Sequence, residues 1–198
     1  MRTRILQGLL IIVTLIIIVF LVYNRYKIQN REKDAIESYN AEFNEKMQCL
    51  ERQTMYNIIP DRVVYWGNDS LHAIRFRDIA PAKLFFYFSA QTCPPCVEGT
   101  IDLINQMFSD SWQTENLCFI SPDSPRRLAE NCYAKMLLNI GPELGLYIET
   151  IHVPFFFELN ENLEVKSVNI VNKLDLSRTK AYLKRYKESK LKLQQVEN

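Results

Sequence analysis

The apolar residues of this chain are concentrated first in one long run at the N-terminus. Residues 5–23 are all apolar except for Gln7, Gly8 and Thr14. As a helix this run would extend about 28 Å, close to the thickness of the hydrocarbon core of a bilayer. Its C-terminal flank lacks the small residues of a signal-peptide cleavage site. The pattern therefore predicts an uncleaved transmembrane helix, with residues 1–24 as a membrane anchor.

A polar stretch over residues 25–59 follows the apolar run and contains neither proline nor glycine. Ile36, Tyr39 and Phe43 begin a thin apolar stripe at near-helical spacing, which predicts a helix with one weakly apolar face. We interpret this stretch as a helical stalk that docks lightly on the following domain and ends at Pro60.

Beyond the stalk, short apolar runs alternate with helical patterns, which predicts one α/β domain over residues 60–198. Strands are expected at residues 62–66, 71–77, 83–90, 117–121, 153–159 and 163–171, the first two forming a hairpin. Helices are expected to start at the cysteine motif described below, to run from Pro125 to about Asn139, and to start again near Asp175 or Ser177.

Composition and charge exclude several classes of function. The formal net charge is only +1, and no basic groove with interleaved aromatic residues is evident, so nucleic acid is not an expected partner. The five glycines form no phosphate-binding loop, and we expect no cofactor.

The most informative motif is Cys93-Pro94-Pro95-Cys96, which lies between an aromatic strand candidate and a helical pattern. A Cys-x-x-Cys at such a corner places the first sulfur at a helix N-terminus. Free N–H groups and the positive end of the helix dipole there favour the thiolate over the thiol. Pro94 and Pro95 suit a first helical turn, where their missing N–H groups would have no intrahelical partner.

Two other interpretations of the motif are weaker. A zinc site would need a second pair of ligands at suitable spacing, and a purely structural disulfide is disfavoured in so short a loop at a helix start. The remaining cysteines and the histidines are Cys49, Cys118, Cys132, His72 and His152. Since none of these forms a second closely spaced pair, no metal site is predicted, and a redox-active dithiol is favoured. Cys118 and Cys132 are most simply core residues.

Residues 86–96 resemble the active-site strand and helix start of the thioredoxin superfamily, and in particular its membrane-tethered TlpA-like branch. The resemblance implies a thioredoxin-like fold, in which helices flank a central mixed sheet. It also implies a cis-proline at the start of a later strand, facing the dithiol. Val153-Pro154, followed by an apolar strand candidate, matches that landmark.

Three positions depart from the family pattern. Thr92 replaces the usual tryptophan before the first cysteine, and Tyr87 replaces a buried acid. Glu98 follows the second cysteine one position earlier than the glutamate of TlpA-like proteins, and Gly99 occupies the usual slot. The group that transfers protons to and from Cys96 is therefore not assigned from the sequence.

The resemblance implies a thiol–disulfide oxidoreductase acting on protein thiols and disulfides, together with a redox partner that the sequence does not identify. Cys93 would be the nucleophile and Cys96 the resolving thiol, together forming a redox-active disulfide. Val153 and Pro154 would form the substrate-binding edge. Two alternatives stay open: a copper-handling protein that uses the same cysteines with His152, and a thioredoxin-fold interaction module without turnover.

Two arguments about membrane orientation disagree. Four basic residues follow the apolar run, namely Arg25, Lys27, Arg31 and Lys33, whereas only Arg2 and Arg4 precede it. A count of flanking positive charges would place the C-terminal domain in the cytoplasm. The resemblance implies the opposite side, and we expect a single-pass inner-membrane protein whose domain faces the periplasm.

Overall fold

The computed structural model describes residues 2–66, 73–79, 83–122, 137–139 and 143–196. The side chains of residues 2–13, 66, 137–139 and 193–196 are not among those described. The chain divides into two compact units, Met1–Glu42 and Phe43–Asn198.

Helix α1 (Arg2–Thr54) forms the first unit and continues into the second. The helical structure predicted for anchor and stalk is therefore confirmed. From Thr14 to Val22 the described side chains are exposed, and Phe20, for example, is 61% exposed. Among the described residues, no helix combines the length and the apolar content needed to cross a bilayer. Residues 5–13 of the predicted anchor lie outside the described side chains.

The second unit is built on a mixed sheet, which in the described part of the chain has seven strands in the order β2-β1-β5-β4-β3-β6-β7. The strands are β1 (Val63–Trp66), β2 (Ala73–Arg75), β3 (Leu84–Tyr87), β4 (Leu117–Ser121), β5 (Leu137–Asn139), β6 (Phe155–Leu159) and β7 (Val165–Ile170). The helices are α2 (Phe76–Ile79), α3 (Pro94–Met107), α4 (Asp110–Asn116) and α5 (Ser177–Val196), with a 3₁₀ helix at Tyr147–Ile151.

The strand directions define the fold class. β3 pairs in parallel with β4 and antiparallel with β6, β4 pairs in parallel with β5, and the hairpin of β6 and β7 closes one side. α3 and α4 connect β3 to its parallel neighbour β4, which gives the β-α-β order typical of α/β proteins. This is the thioredoxin-like α/β arrangement, a central mixed sheet flanked by helices, as predicted.

Two apolar layers cover the two faces of the sheet. On one face Phe85 stacks on Phe157 with ring centroids 5.1 Å apart, and the C-terminal part of α1 packs against this layer. On the other face Phe86 stacks on Phe156 at 4.7 Å, beneath α3 and α5. Since both faces are covered, every residue of β3 is buried, which explains its unbroken apolar sequence.

The prediction of a helix from Pro125 to about Asn139 is wrong at its C-terminal end. The expected helix from Pro125 to about Asn139 finishes in strand β5, which pairs in parallel with β4 and antiparallel with β1. Backbone pairing with a neighbouring strand on each side stabilises the extended conformation there and outweighs the local helical pattern. The rest of that predicted helix, residues 125–136, lies outside the described residues. The predicted hairpin is confirmed as β1 and β2, with Val64 opposite Ile74.

The end of α1 and the chain after it cover the edge strand β7. The Tyr56 N–H donates to the Val165 carbonyl at 2.9 Å, and the Val165 N–H donates to the Asn57 carbonyl at 2.9 Å. The Ile59 N–H then donates to the Leu163 carbonyl at 2.9 Å. These bonds satisfy backbone groups that an edge strand would otherwise present to solvent.

Glu51, on the last turn of α1, completes this cover at the far end of β7. Its side chain is buried, and Oε1 accepts a hydrogen bond from the Ile170 N–H at 2.6 Å. The other carboxylate oxygen pairs with the Arg178 guanidinium at the start of α5. Burial raises the pKa of Glu51, and the Ile170 N–H and Arg178 offset part of that rise.

The buried carboxyl gives a testable pH dependence. Because its pKa is raised in the folded state, Glu51 contributes stability that is fully present below the carboxyl pKa of the unfolded chain, about 4.3. That contribution is lost as the pH rises through the raised value. We therefore expect the free energy of unfolding of the wild type, relative to Glu51→Gln, to fall as the pH increases from about 4.

Urea unfolding at a series of pH values measures this difference. Glu45→Gln, at an exposed position on the same helix, is the matched control and should show no comparable trend. A wild type that gains stability over Glu51→Gln as the pH rises would contradict the expectation.

Candidate active site

Cys93 occupies the N-cap of α3, directly after the turn that follows β3. Its backbone is non-helical (φ −56°, ψ 118°), and its carbonyl accepts hydrogen bonds from the N–H groups of Cys96 at 2.9 Å and Val97 at 3.3 Å. Pro94 and Pro95 fill the first helical positions, and the first turn holds no acidic residue. The positive end of the helix dipole therefore acts on the Cys93 sulfur without a neighbouring carboxylate in that turn to oppose it.

Cys93 and Cys96 are joined as a disulfide, with Cα atoms 5.3 Å apart. Both residues are partly exposed, and Pro94 and Pro95 between them are also accessible. The pair is therefore closed and reachable by another molecule. A disulfide at this position can accept two electrons and two protons when the bond is reduced.

Thr92, where the family pattern has tryptophan, forms hydrogen bonds that hold the turn before Cys93. It is 4% exposed, and its Oγ1 accepts a hydrogen bond from the Ser89 N–H at 3.0 Å. The Thr92 N–H donates to the Ser89 carbonyl, also at 3.0 Å. These two bonds close the turn that carries the chain from β3 to Cys93.

The sheet register brings Val153 and Pro154 to the same end of the sheet as the dithiol. Tyr87, the last residue of β3, lies opposite Phe155, and their rings stack at 4.7 Å. Continuing this register by one residue sets Pro154 opposite Phe88, five residues before Cys93. Within the described part of the chain, no hydrogen bond involves the backbone of Val153.

The prediction that Pro154 is a cis-proline is wrong. No cis peptide bond occurs among the described residues, so the bond between Val153 and Pro154 is trans. The chain enters β6 differently: His152 adopts a left-handed conformation (φ 51°) and ends the 3₁₀ helix at Tyr147–Ile151. His152 therefore changes the direction of the chain two residues before Pro154.

Glu149 shapes the loop that leads to this edge, and the sequence motifs did not identify it. The carboxylate is buried and accepts three backbone hydrogen bonds, each at 2.8 Å, from Leu144, Gly145 and Leu146. Gly145, with φ 86°, allows the tight turn that directs these N–H groups inward. A glutamate three residues after the N-cap of a short helix, here Leu146, is the sequence signal that could have indicated it.

At the two positions where the resemblance would place an acidic residue for proton transfer to Cys96, the chain has Tyr87 and Gly99 instead. Tyr87, at the position of the family's buried acid, is buried and packed on Phe155. Glu98 is exposed, and at Gly99 a Cβ atom would meet nothing within 4 Å. The buried Thr100 hydroxyl donates to the Cys96 carbonyl at 2.7 Å, which leaves it a structural partner of the first turn.

The structure does not bring the copper-site candidates together. Among the described residues, which include Cys93, Cys96 and His152, no three His, Cys, Asp or Glu side chains are placed to hold a metal ion. Of the other cysteines, Cys118 is free and buried, and burial raises its pKa; Cys49 is free and exposed. Cys132 lies outside the described residues.

Known proteins resemble this chain in structure rather than in sequence. No protein-family model and no curated protein matches it. A thiol peroxidase from Chromobacterium violaceum is 16% identical and covers 69% of this chain and 87% of its own, with a TM-score of 0.40. Peroxiredoxin Q from Xanthomonas campestris is 14% identical and covers 67% and 98%, with a TM-score of 0.44.

A third solved structure, a protein from Chlorobium tepidum assigned as the thiol:disulfide interchange protein DsbE, is 9% identical. The alignment covers 65% of this chain and 94% of that one, with a TM-score of 0.41. The fold is thioredoxin-like in its strand order and in the position of Cys93 between β3 and α3.

The open space at Gly99 generates a prediction about the active-site helix. Gly99 lies inside α3, where glycine costs roughly 0.5–1 kcal/mol relative to alanine. Gly99→Ala should therefore raise the free energy of unfolding by about that amount. Gly145→Ala is the matched control: it also has space for a Cβ atom, but its φ of 86° strains any other residue, so it should destabilise. Denaturant unfolding measures both, and a destabilised Gly99→Ala would show that this helix needs its glycine.

Proposed function

We propose that the protein is a membrane-anchored thiol–disulfide oxidoreductase that acts on protein substrates, in the direction of disulfide reduction. The observation that carries the proposal is a closed but accessible Cys93–Cys96 disulfide at the N-terminus of α3. The sheet supports it, because β3, which leads to Cys93, pairs with β6, which follows directly after Val153 and Pro154.

The reaction begins with the reduced form of the pair. The Cys93 thiolate attacks one sulfur of a substrate disulfide, a mixed disulfide forms, and the first substrate sulfur leaves as a thiolate that takes up a proton. The Cys96 sulfur, after losing its proton, then attacks the Cys93 sulfur and expels the second substrate thiolate. The substrate gains two electrons and the protein ends with the Cys93–Cys96 disulfide.

A dithiol redox partner must then reduce this disulfide, returning two electrons and two protons to Cys93 and Cys96. The helix dipole acts twice in the cycle, since it favours the attacking Cys93 thiolate and also makes the Cys93 sulfur a good leaving group for the partner. An extended substrate chain would lie along Val153 and Pro154. The backbone of Val153, which makes no hydrogen bond to another described residue, would be available for strand-like hydrogen bonds.

The anchor belongs to the proposal as well. The apolar run over residues 5–23 supports it by its length, and the backbone of α1 is helical through this run. We place the domain on the periplasmic side of the inner membrane, where secreted proteins form and exchange disulfides.

Trapping of the mixed disulfide tests the catalytic assignment. A Cys96→Ser variant should accumulate protein partners linked to Cys93, because the second attack is lost, whereas Cys93→Ser should accumulate none. Non-reducing electrophoresis detects the adducts and dithiothreitol releases them. Both variants should carry Cys49→Ser, since Cys49 is an exposed free thiol. Adducts on Cys93→Ser, or none on either variant, would contradict the roles assigned to the two cysteines.

A topology reporter tests the location. Alkaline phosphatase fused after Asn198, active only outside the cytoplasm, should be active in cells. A reporter that works only in the cytoplasm should be inactive at the same position. The reverse result would mean that the basic residues after the apolar run set the orientation, as the flanking-charge rule has it.

A further inference from the structure

Glu51 is linked to the proposed substrate-binding edge by a short chain of backbone contacts. Its Oε1 accepts the Ile170 N–H at 2.6 Å, and Ile170 lies opposite Phe155 in the pairing of β6 and β7. The next residue, Val171, donates its N–H to the Pro154 carbonyl at 3.0 Å. Two adjacent amides of one strand end therefore point in opposite directions, one to Glu51 and one to Pro154.

This strand end has no neighbouring strand on its outer side, because β7 is the last strand of the sheet in the described part of the chain. The segment after α1 pairs with Leu163 and Val165, at the beginning of β7, and Glu51 provides the contact at Ile170. A carboxylate held by Arg178 can fix the Ile170 amide more firmly than water can, since charge-assisted hydrogen bonds to buried groups are strong.

We propose that Glu51 is a positioning residue for the Val153-Pro154 edge, acting through Ile170 and Val171. This inference rests on the proposed function, in which that edge holds an extended substrate chain. Glu51 does not touch the dithiol in this arrangement: Cys93 and Cys96 are carried by α3, which packs on the other face of the sheet from α1. Loss of Glu51 should therefore weaken recognition of a protein substrate and leave the chemistry of the cysteines unchanged.

The experiment compares a protein disulfide with a small one in the full chain. Reduction of insulin requires a chain laid along the edge, whereas reduction of the aromatic disulfide DTNB does not. For Glu51→Ala we expect kcat/KM for insulin to fall about three- to tenfold, the equivalent of one hydrogen bond, mainly through a higher KM. The rate with DTNB and the reduction potential of Cys93–Cys96 should equal those of the wild type.

Further variants separate positioning from general stability. Glu51→Gln keeps one oxygen that can accept the Ile170 N–H but loses the ion pair with Arg178, so it should restore part of the insulin activity. Glu51→Asp is too short to reach Ile170 and should resemble Glu51→Ala. Glu51→Asp also carries the test if Glu51→Ala does not fold. Glu45→Ala, exposed on the same helix, should behave as the wild type. Hydrogen exchange should show a faster Val171 amide in Glu51→Ala than in Glu45→Ala.

The outcomes are distinguishable. Equal losses with insulin and DTNB, an unchanged insulin reaction, or an unchanged Val171 amide would each overturn the positioning role. A wild type that reduces neither substrate with a supplied reductant would instead overturn the proposed function. An active wild type with a selective defect in Glu51→Ala that Glu51→Gln repairs in part would establish both.

Discussion

The antiparallel pairing of β3 with β6 is the interaction on which the rest of this structure depends. Three stacked aromatic pairs hold the two strands in register, and they alternate between the faces of the sheet: Phe85 with Phe157, Phe86 with Phe156 and Tyr87 with Phe155. A slip of one residue would send each ring to the opposite face, so both cores enforce the same register. That register also decides which residues of β6 lie beside the turn to Cys93.

Hydrogen bonds to buried side chains then fix the turns and strand ends around the site. Thr92 closes the turn before the dithiol, Glu149 organises the loop before Val153, and Glu51 holds the end of β7. Each of these side chains accepts hydrogen bonds from backbone N–H groups that no strand or helix satisfies. Because a buried polar group without a hydrogen-bond partner destabilises the fold, these contacts offset the cost of burying the side chains. The site is therefore shaped by polar contacts at the margins of an aromatic core.

Much of this arrangement could be predicted from the sequence where local pattern and tertiary environment agree. The aromatic run ending at Tyr87, the helix after Cys93 and the hairpin of β6 and β7 carry patterns that the folded sheet reinforces. Leu137–Asn139 could not be assigned from its pattern, because only the neighbouring strands make it extended. The partners of Glu51, namely Ile170 and Arg178, lie more than a hundred residues further along the chain, and spacing alone does not reveal them.

The covering of β7 by the end of α1 has a consequence for how the domain can be separated from the rest of the chain. A fragment beginning at Pro60, where the polar stretch ends, would lack Glu51 and the backbone that pairs with Val165. It would expose a strand edge in a sheet rich in phenylalanine, and such edges recruit strands from other molecules. Self-association of that fragment into β-aggregates would thus reflect a missing helix end rather than any instability of the dithiol or its helix.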